Sequence, residues 1–284
     1  MPQNNIPLVS VLMTSYNREK FIEESIWSVL NSTFKDLELL ISDDCSSDNT
    51  IEIVKKIASI DSRVKWHINE KNLGDYPNRN KVASIAKGKY MLYVDSDDTI
   101  KNDAIEFAIT NLTEKPTAKF SVIYPFEDIK APTLLNPYDS LRKHFFERSF
   151  LNLGPGGVVF DRLFFLSNQS YSNQYGPAND LYSHLKFASK GDALLLPYRY
   201  LNYRIHDGQE STNKYAYLYL NQLVIRDAIK EFELPFSKNE KKRILKNKSI
   251  SNLFSIIRYV IKYKKLRQGF NAFKKAKFIL ADFI

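Results

Sequence analysis

Four times in the first 112 residues, an apolar run is followed by a polar turn and then by apolar residues at helical spacing. Val9 to Thr14 reads as a strand, Ser15 to Arg18 as the turn after it, and Glu19 to Asn31 as a helix with Ile22, Ile26, Val29 and Leu30 on one face. The cycle repeats with a strand over Leu37 to Ser42 and a helix carrying Ile51, Val54, Ile57 and Ala58, for which Ser47 or Asp48 is the expected N-cap. A third strand, Val64 to Ile68, precedes a helix over Pro77 to Ala86, and a fourth, Tyr90 to Val94, precedes one over Asn102 to Leu112. This β-α alternation with short connections suits a sheet covered by helices on both faces. The expectation is therefore an α/β fold with a mostly parallel, Rossmann-like sheet flanked by helices.

In such sheets ligands gather beyond the carboxyl ends of the strands. Four of those ends are polar here: Thr14 to Asn17, Asp43-Asp44, Asn69 to Gly74, and Asp95 to Asp98. Each alone would suit a helix cap or a solvated turn; four on one edge suit a site. The densest, YVDSDD over 93–98, brings Asp95, Asp97 and Asp98 together. With pKa values ordinarily near ~4, three such carboxylates repel one another at neutral pH and call for a positive charge. Neither a GxGxxG nor a GxxxxGK[ST] motif occurs, so a dinucleotide fingerprint and a P-loop are not expected. One cysteine, Cys45, and four histidines make a poor structural zinc set, which favours a hard, oxygen-ligated cation.

The 284 residues suffice for one large domain, or one domain with an appendage. The start, MPQNNIPLVS, lacks the basic and apolar regions of a secretory signal, and no run approaches the ~20 apolar residues of a membrane span. A cytoplasmic protein is expected. The net charge of +9 is uneven: from Pro235 to Ile284, 14 Lys/Arg face only Glu240 and Asp282, a balance of +12 that leaves −3 for the first 234 residues.

The segments PLVSVLMTSYN (7–17), LLISDDCSSDNT (39–50), NLGDYPNRN (72–80) and GKYMLYVDSDD (88–98) together resemble family 2 glycosyltransferases of the GT-A fold, of the kind that builds bacterial surface polysaccharides. The likeness extends more weakly to about residue 212. It implies a catalytic domain over 1–212, with a nucleotide-binding half at about 7–100 and an acceptor half at about 101–212, followed by a helical basic extension over 213–284. By resemblance, Asp95 and Asp97 hold a divalent cation, Mn²⁺ or Mg²⁺, that bridges the donor's diphosphate; Asp97 is assigned to the metal and Asp95 to ribose or metal. Asp98 is expected to be a turn or capping residue. A cation held by carboxylates neutralises charge developing on a diphosphate leaving group, which the chemistry requires in any case.

The resemblance also places Thr14 and Tyr16 in the base pocket and Asp44 on the base imide, favouring a UDP-sugar, with Asp43 as the alternative. Arg79 is expected near the nucleotide, or as a solvated helix residue. Cys45 stands where the family often has glycine, which leaves that loop's backbone open. In NLGPGGVVFDRLFF (152–165) and GPANDLYSHLKFASKG (176–191), Gly156 and Gly157 are expected at the acceptor, and Asp180 as the base for an inverting direct displacement or simply as a helix cap. His206 is expected at the diphosphate or metal, or as a structural histidine, with Arg204 a weaker candidate for the same task. The loop over 207–214 is a candidate lid. The implied reaction moves a sugar from a nucleoside-diphosphate-sugar to a saccharide or lipid-linked saccharide.

The basic extension mixes Ile250, Leu253, Phe254, Ile257, Val260 and Ile261 with Lys and Arg, which suits a helix on an anionic membrane surface. It suits equally a helix packed on the catalytic domain with a solvated basic face. Two other functions fit parts of the sequence. A nucleic-acid-binding protein would use the basic tail, but the ligand edge is acidic where phosphates demand cations. A sugar nucleotidyltransferase would use an Asp pair and metal, but a glycine-rich basic loop near Thr14 is missing.

Overall fold

A computed structural model describes residues 6–206, 209 and 213–278. In chain order its elements are β1 (Val9–Ser15), α1 (Ile22–Leu30), β2 (Leu37–Asp43), α2 (Thr50–Ala58), β3 (Val64–Ile68), α3 (Asp75–Ile85), β4 (Tyr90–Tyr93), β5 (Thr99–Ile100), α4 (Ala104–Glu114) and β6 (Ala118–Ile123). There follow β7 (Thr133–Leu135), α5 (Pro137–Arg142), β8 (Val158–Asp161), α6 (Arg162–Ser167), α7 (Asn179–Ala188), β9 (Asp192–Leu196), β10 (Leu201–Asn202), α8 (Lys214–Glu231), α9 (Lys238–Tyr263) and α10 (Leu266–Lys275). The chain falls into two compact units, one of 1–136, 153–171 and 191–204, the other of 137–152, 172–190 and 205–284. The stretch expected as the acceptor half is thus divided between them.

The first unit is built on an eight-stranded sheet of order β3-β2-β1-β4-β8-β6-β9-β7. β1 pairs in parallel with β2 and β4, and β2 with β3, as the alternation predicts. Valine, leucine and isoleucine of β1 and β2 are almost wholly buried, together with Ile26, Val29, Val54 and Ile57 of the covering helices. Beyond β4 the pattern is mixed: β8 lies antiparallel between β4 and β6, and β7 pairs antiparallel with β9. Apolar periodicity is the same in either strand direction, so the sequence gives no sign of that reversal. At the amino ends, buried Glu38 accepts from Ser10 Oγ and Lys65 Nζ, both at 2.7 Å. Gly88 is required there, because a Cβ would lie 2.5 Å from the Ser10 nitrogen.

Helix starts differ from expectation in detail. α2 begins at Thr50 after Asn49, not after Ser47 or Asp48. The Asp48 carboxylate instead accepts from Glu19 N and Thr50 N, tying the turn after β1 to the turn after β2.

The second unit is helical. α8 packs against α7 and α9, and α10 packs against both α8 and α9. Ser237 and Glu240 close a capping box at the start of α9. His144 and His184 are buried: Nδ1 of His144 accepts from Phe150 N and Leu151 N at 3.1 Å, and Nδ1 of His184 bonds the Leu151 carbonyl at 3.0 Å. Burial holds both in the neutral form, with pKa values pushed down to about 3 and about 4. Among the described residues no helix is long and apolar enough to cross a membrane.

Candidate active site

The carboxyl ends of β1, β2 and β4 form one edge of the first unit, and the polar turns predicted to be ligand-binding lie on it. Asp95, Asp97 and Asp98 follow β4 directly, with one ligand oxygen of each within 4.8 Å of the others. Their burial is graded. Asp98 is 2% exposed, and its Oδ1 accepts from Arg204 N at 2.9 Å. Burial raises its pKa to about 7 against the pull of that N–H, and the negative charges of Asp95 and Asp97 add to the rise. The side chains of Asp97 and Asp95 are 13% and 29% exposed. Asp98 thus fastens the segment after β10 and leaves the other two to face a ligand.

Two arginines supply positive charge. Nε of Arg18 donates to Asp97 Oδ2 at 3.2 Å. Arg79, on α3, donates from Nε to Asp75 and from Nη1 to Asp95, both at 2.7 Å. Its guanidinium lies 5.5 Å from the centre of the Tyr93 ring, and Tyr93 Oη donates to the Arg79 carbonyl at 3.0 Å. Burial works against the charged form of Arg79, but Asp75 and Asp95 more than offset it and hold its pKa well above the usual value. Burial raises the pKa of Asp95, with Arg79 pulling the other way. The alternative that Arg79 is a solvated helix residue is corrected: it is 7% exposed and orients Asp95.

The two acids after β2 point to different tasks. Asp43 accepts from Ser15 Oγ, Ser46 N and Ser46 Oγ, which closes the turn. Asp44 accepts from Asn69 Nδ2 and Leu73 N at 2.8 Å and from Gly74 N at 2.9 Å, which fixes the loop before α3. A carboxylate has about four lone-pair positions, so Asp44 retains about one. Cys45 between these turns has φ 67°, the left-handed backbone that explains glycine at this position in the family. Thr14 is half-buried at the end of β1, and Tyr16 is 48% exposed beyond it.

The Arg204 guanidinium donates to the carbonyls of Asp97 and Phe21, to Ser25 Oγ and to Glu24. Gly156 and Gly157 end a single 3-10 turn before β8, and Gly156 is buried. In the second unit, Asp180 sits in the first turn of α7 after the N-cap Ala178, so it is not the cap; its Oδ1 accepts from Leu181 N at 2.6 Å. His206 N donates to Gln209 Oε1 at 3.1 Å. Five residues of the expected lid, 207, 208 and 210–212, lie outside the described residues. Sequence reasoning missed Arg18, whose only signal was a cation in the turn after β1, on an edge crowded with acids.

The profile of glycosyl transferase family 2 matches residues 10–174. The UDP-Glc:alpha-D-GlcNAc-diphosphoundecaprenol beta-1,3-glucosyltransferase WfaP of Escherichia coli is 30% identical over 231 residues, covering 77% of this chain and 86% of that one. The GalNAc(5)-diNAcBac-PP-undecaprenol beta-1,3-glucosyltransferase of Campylobacter jejuni is 34% identical over 111 residues, 38% of this chain and 36% of the relative. Other curated relatives are likewise matched over half of their length or less, 50% for a glycosyltransferase of Haemophilus influenzae. Among solved structures, TarS 1-349 of S. aureus in complex with UDP-GlcNAc has a TM-score of 0.71 at 21% identity, covering 93% of this chain and 79% of that one. The mannosyltransferase PcManGT of Pyrobaculum calidifontis, in complex with GDP-Man and Mn2+, has a TM-score of 0.65 at 17% identity, covering 98% and 78%. With its sheet edge, its clustered aspartates and these likenesses together, the chain belongs to glycosyl transferase family 2, a family of sugar-transferring enzymes, and carries the GT-A fold.

Proposed function

We propose that the protein transfers a sugar from a nucleoside-diphosphate-sugar, a UDP-sugar in the first instance, to a lipid-linked saccharide. The observation that carries this is the graded aspartate cluster after β4, on the edge where the ends of β1 and β2 also lie. The relatives support it through their names, both of which specify an undecaprenol-linked acceptor. Two structural neighbours are complexes with UDP-GlcNAc and with GDP-Man and Mn2+.

The clustered donors suit a hard divalent cation, Mn²⁺ or Mg²⁺: three carboxylates within 4.8 Å of one another, two of them partly exposed. Asp97 and Asp95 would hold it, with His206 as a further ligand. When bound, it would neutralise charge on the departing nucleoside diphosphate. Arg79 favours the ionised form of Asp95 against its burial and aims the carboxylate, so Asp95 serves ribose or metal without rotating freely. Thr14 and Tyr16 line the base pocket, Tyr16 with an exposed ring, and the remaining lone pair of Asp44 takes the base imide N–H. Asp180 removes the proton from the acceptor hydroxyl, giving inversion by direct displacement, while Gly156 and Gly157 let the acceptor approach the backbone. A lipid-linked acceptor implies work at the cytoplasmic face of a membrane, with 235–284 as the contacting region.

The test is calorimetric titration of UDP in the presence of Mn²⁺ into wild type and Asp97→Asn. A neutral amide replaces an anionic oxygen poorly at a hard cation, so the variant should keep its fold and lose most metal-dependent affinity. Equal affinities would refute the metal assignment.

A further inference from the structure

α10 wears its small residues inward and its large ones outward. Gly269, Ala272 and Ala276, at i, i+3 and i+7, are buried. Gly269 is where α10 crosses α9: a Cβ there would lie 2.1 Å from Val260 Cγ2. The Tyr259 hydroxyl donates to Gln268 Oε1 at 2.5 Å, and Arg226 of α8 donates to the carbonyls of Ala276 and Lys277 at the far end. The helix is therefore seated and its orientation is fixed. The face beside this packed one presents Leu266, Phe270 and Phe273, which are 76%, 60% and 41% exposed, and the face opposite it carries Arg267, Asn271 and Lys274.

α9 has the same arrangement. Ile256 is buried against Leu218 and Ala272, while Ile250, Phe254, Ile257 and Ile261 are exposed, Ile261 at 72%. These four, at i, i+4, i+7 and i+11, fall in one stripe, and Arg243 and Lys246 continue it towards the amino end of the helix. Seven large apolar side chains held outward by two seated helices are not an ordinary scatter of surface hydrophobics. The stretch that carries them is one-signed: 241–278 contains 13 Lys/Arg and no Asp or Glu.

We propose that the outward faces of α9 and α10 are a membrane-docking surface, inserting Phe254, Ile257, Ile261, Leu266, Phe270 and Phe273 among the lipids of an anionic bilayer. The acid-free stretch around them selects this occupant. A second copy of the chain would set two strongly basic surfaces against each other, whereas anionic headgroups satisfy Lys and Arg while the acyl region takes the apolar stripe. This deepens the membrane contact included in the functional proposal above, by naming the side chains that make it.

The test is co-sedimentation of the full-length protein with phosphatidylglycerol and with phosphatidylcholine vesicles, for wild type and for Phe254→Asp/Phe270→Asp. Both positions are exposed, and circular dichroism reports whether the variant folds; Phe254→Ser/Phe270→Ser replaces it if it does not. Wild type should bind phosphatidylglycerol vesicles well and phosphatidylcholine poorly, and high salt should weaken binding without abolishing it. The variant should bind at least about tenfold more weakly, since insertion of two aromatic side chains is lost. Unchanged binding by the variant would overturn the proposal, as would wild-type binding that vanishes in salt, which is adsorption of the basic surface alone. A wild-type dimer in the absence of vesicles that the variant abolishes would assign the face to self-association instead. UDP and Mn²⁺ titrated into both proteins separate this from the donor site: retained donor binding with lost vesicle binding concerns these helices only.

Discussion

The two units handle polar and apolar groups in opposite ways. The sheet unit buries the apolar residues of its central strands and concentrates acidic groups on one edge, where arginines and backbone N–H groups meet the carboxylates. The helical unit keeps two histidines buried and neutral and, on α9 and α10, turns large apolar residues outward in a stretch, 241–278, that holds no acid. The difference lies in what each surface must meet. A charged ligand needs preset, rigid charges, which the ends of a buried sheet can hold; an extended surface needs area rather than points.

The sharpest way to break this comparison is to remove a charge that organises the edge. Arg79→Met leaves Asp95 without its partner beside a second carboxylate. Breaking a buried ion pair typically costs about 3–5 kcal/mol. Asp75 is 51% exposed and Asp95 29%, so the lower end is expected. Urea unfolding should show that loss for Arg79→Met, while Lys262→Met, on the exposed surface of α9, should stay within about 0.5 kcal/mol of wild type. Equal midpoints for Arg79→Met and wild type would mean that the edge is not held by these charges.

Acid should act with opposite signs on the buried histidines and on Asp98. His144 and His184 have folded pKa values of about 3 and about 4 against an ordinary 6.5. The unfolded chain therefore binds more protons, and the stability they allow is present above 6.5 and lost as pH falls through the folded values. Asp98 is raised to about 7 from 3.8, so the folded chain binds the extra proton and acid relieves its repulsion with Asp95 and Asp97. Glu38, Asp48 and Asp61, whose pKa values are lowered, oppose this only at more acid pH, below their ordinary 4.5 and 3.8. Between 6.5 and 4.5, hydrogen exchange corrected for its intrinsic pH dependence should show α7 and α9 losing protection while β1 and β4 hold theirs; β2 and β3, joined by the Ser42–His67 bond, should follow the histidines, because burial lowers the pKa of His67 too. Parallel loss in β1 and β4 would contradict this.

How far each unit was legible in the sequence follows from the same contrast. β1, β2 and β4 and the polar turns after them were legible because these buried strands are mostly apolar and their ends are abruptly polar; β3, an edge strand with only Val64 buried, was legible from its place in the alternation. The pairing of Arg18 with Asp97 was not, since 79 positions separate them and only the adjacency of β1 and β4 brings them together. The direction of β8 was hidden because alternation carries no polarity. In the tail, Lys-rich amphipathic helices look alike whether protein or lipid covers the apolar side. The face of α10 that packs is Gly269, Ala272 and Ala276, which carry little hydrophobic signal, so the larger residues that attract the eye are the ones left outside.

The smallest effect compares strained backbone in the two units. Cys45 after β2 and Lys264 at the end of α9 both have positive φ, 67° and 53°. For a residue with a Cβ this costs roughly 1–2 kcal/mol, which glycine removes while adding about 0.5–1 kcal/mol of chain entropy loss. Lys264 is an exposed C-cap, so Lys264→Gly should stabilise the protein by up to about 1 kcal/mol. Cys45 is half-buried and its Sγ donates to the Asn69 carbonyl at 2.9 Å, in the loop whose other end Asp44 holds. Cys45→Gly relieves the same strain but gives up that contact, so its gain should be smaller, near zero. Urea midpoints of the two variants measure the difference. An equal gain would mean that the thiol contributes nothing to the loop, and that Asp44 and the backbone alone hold it against the edge.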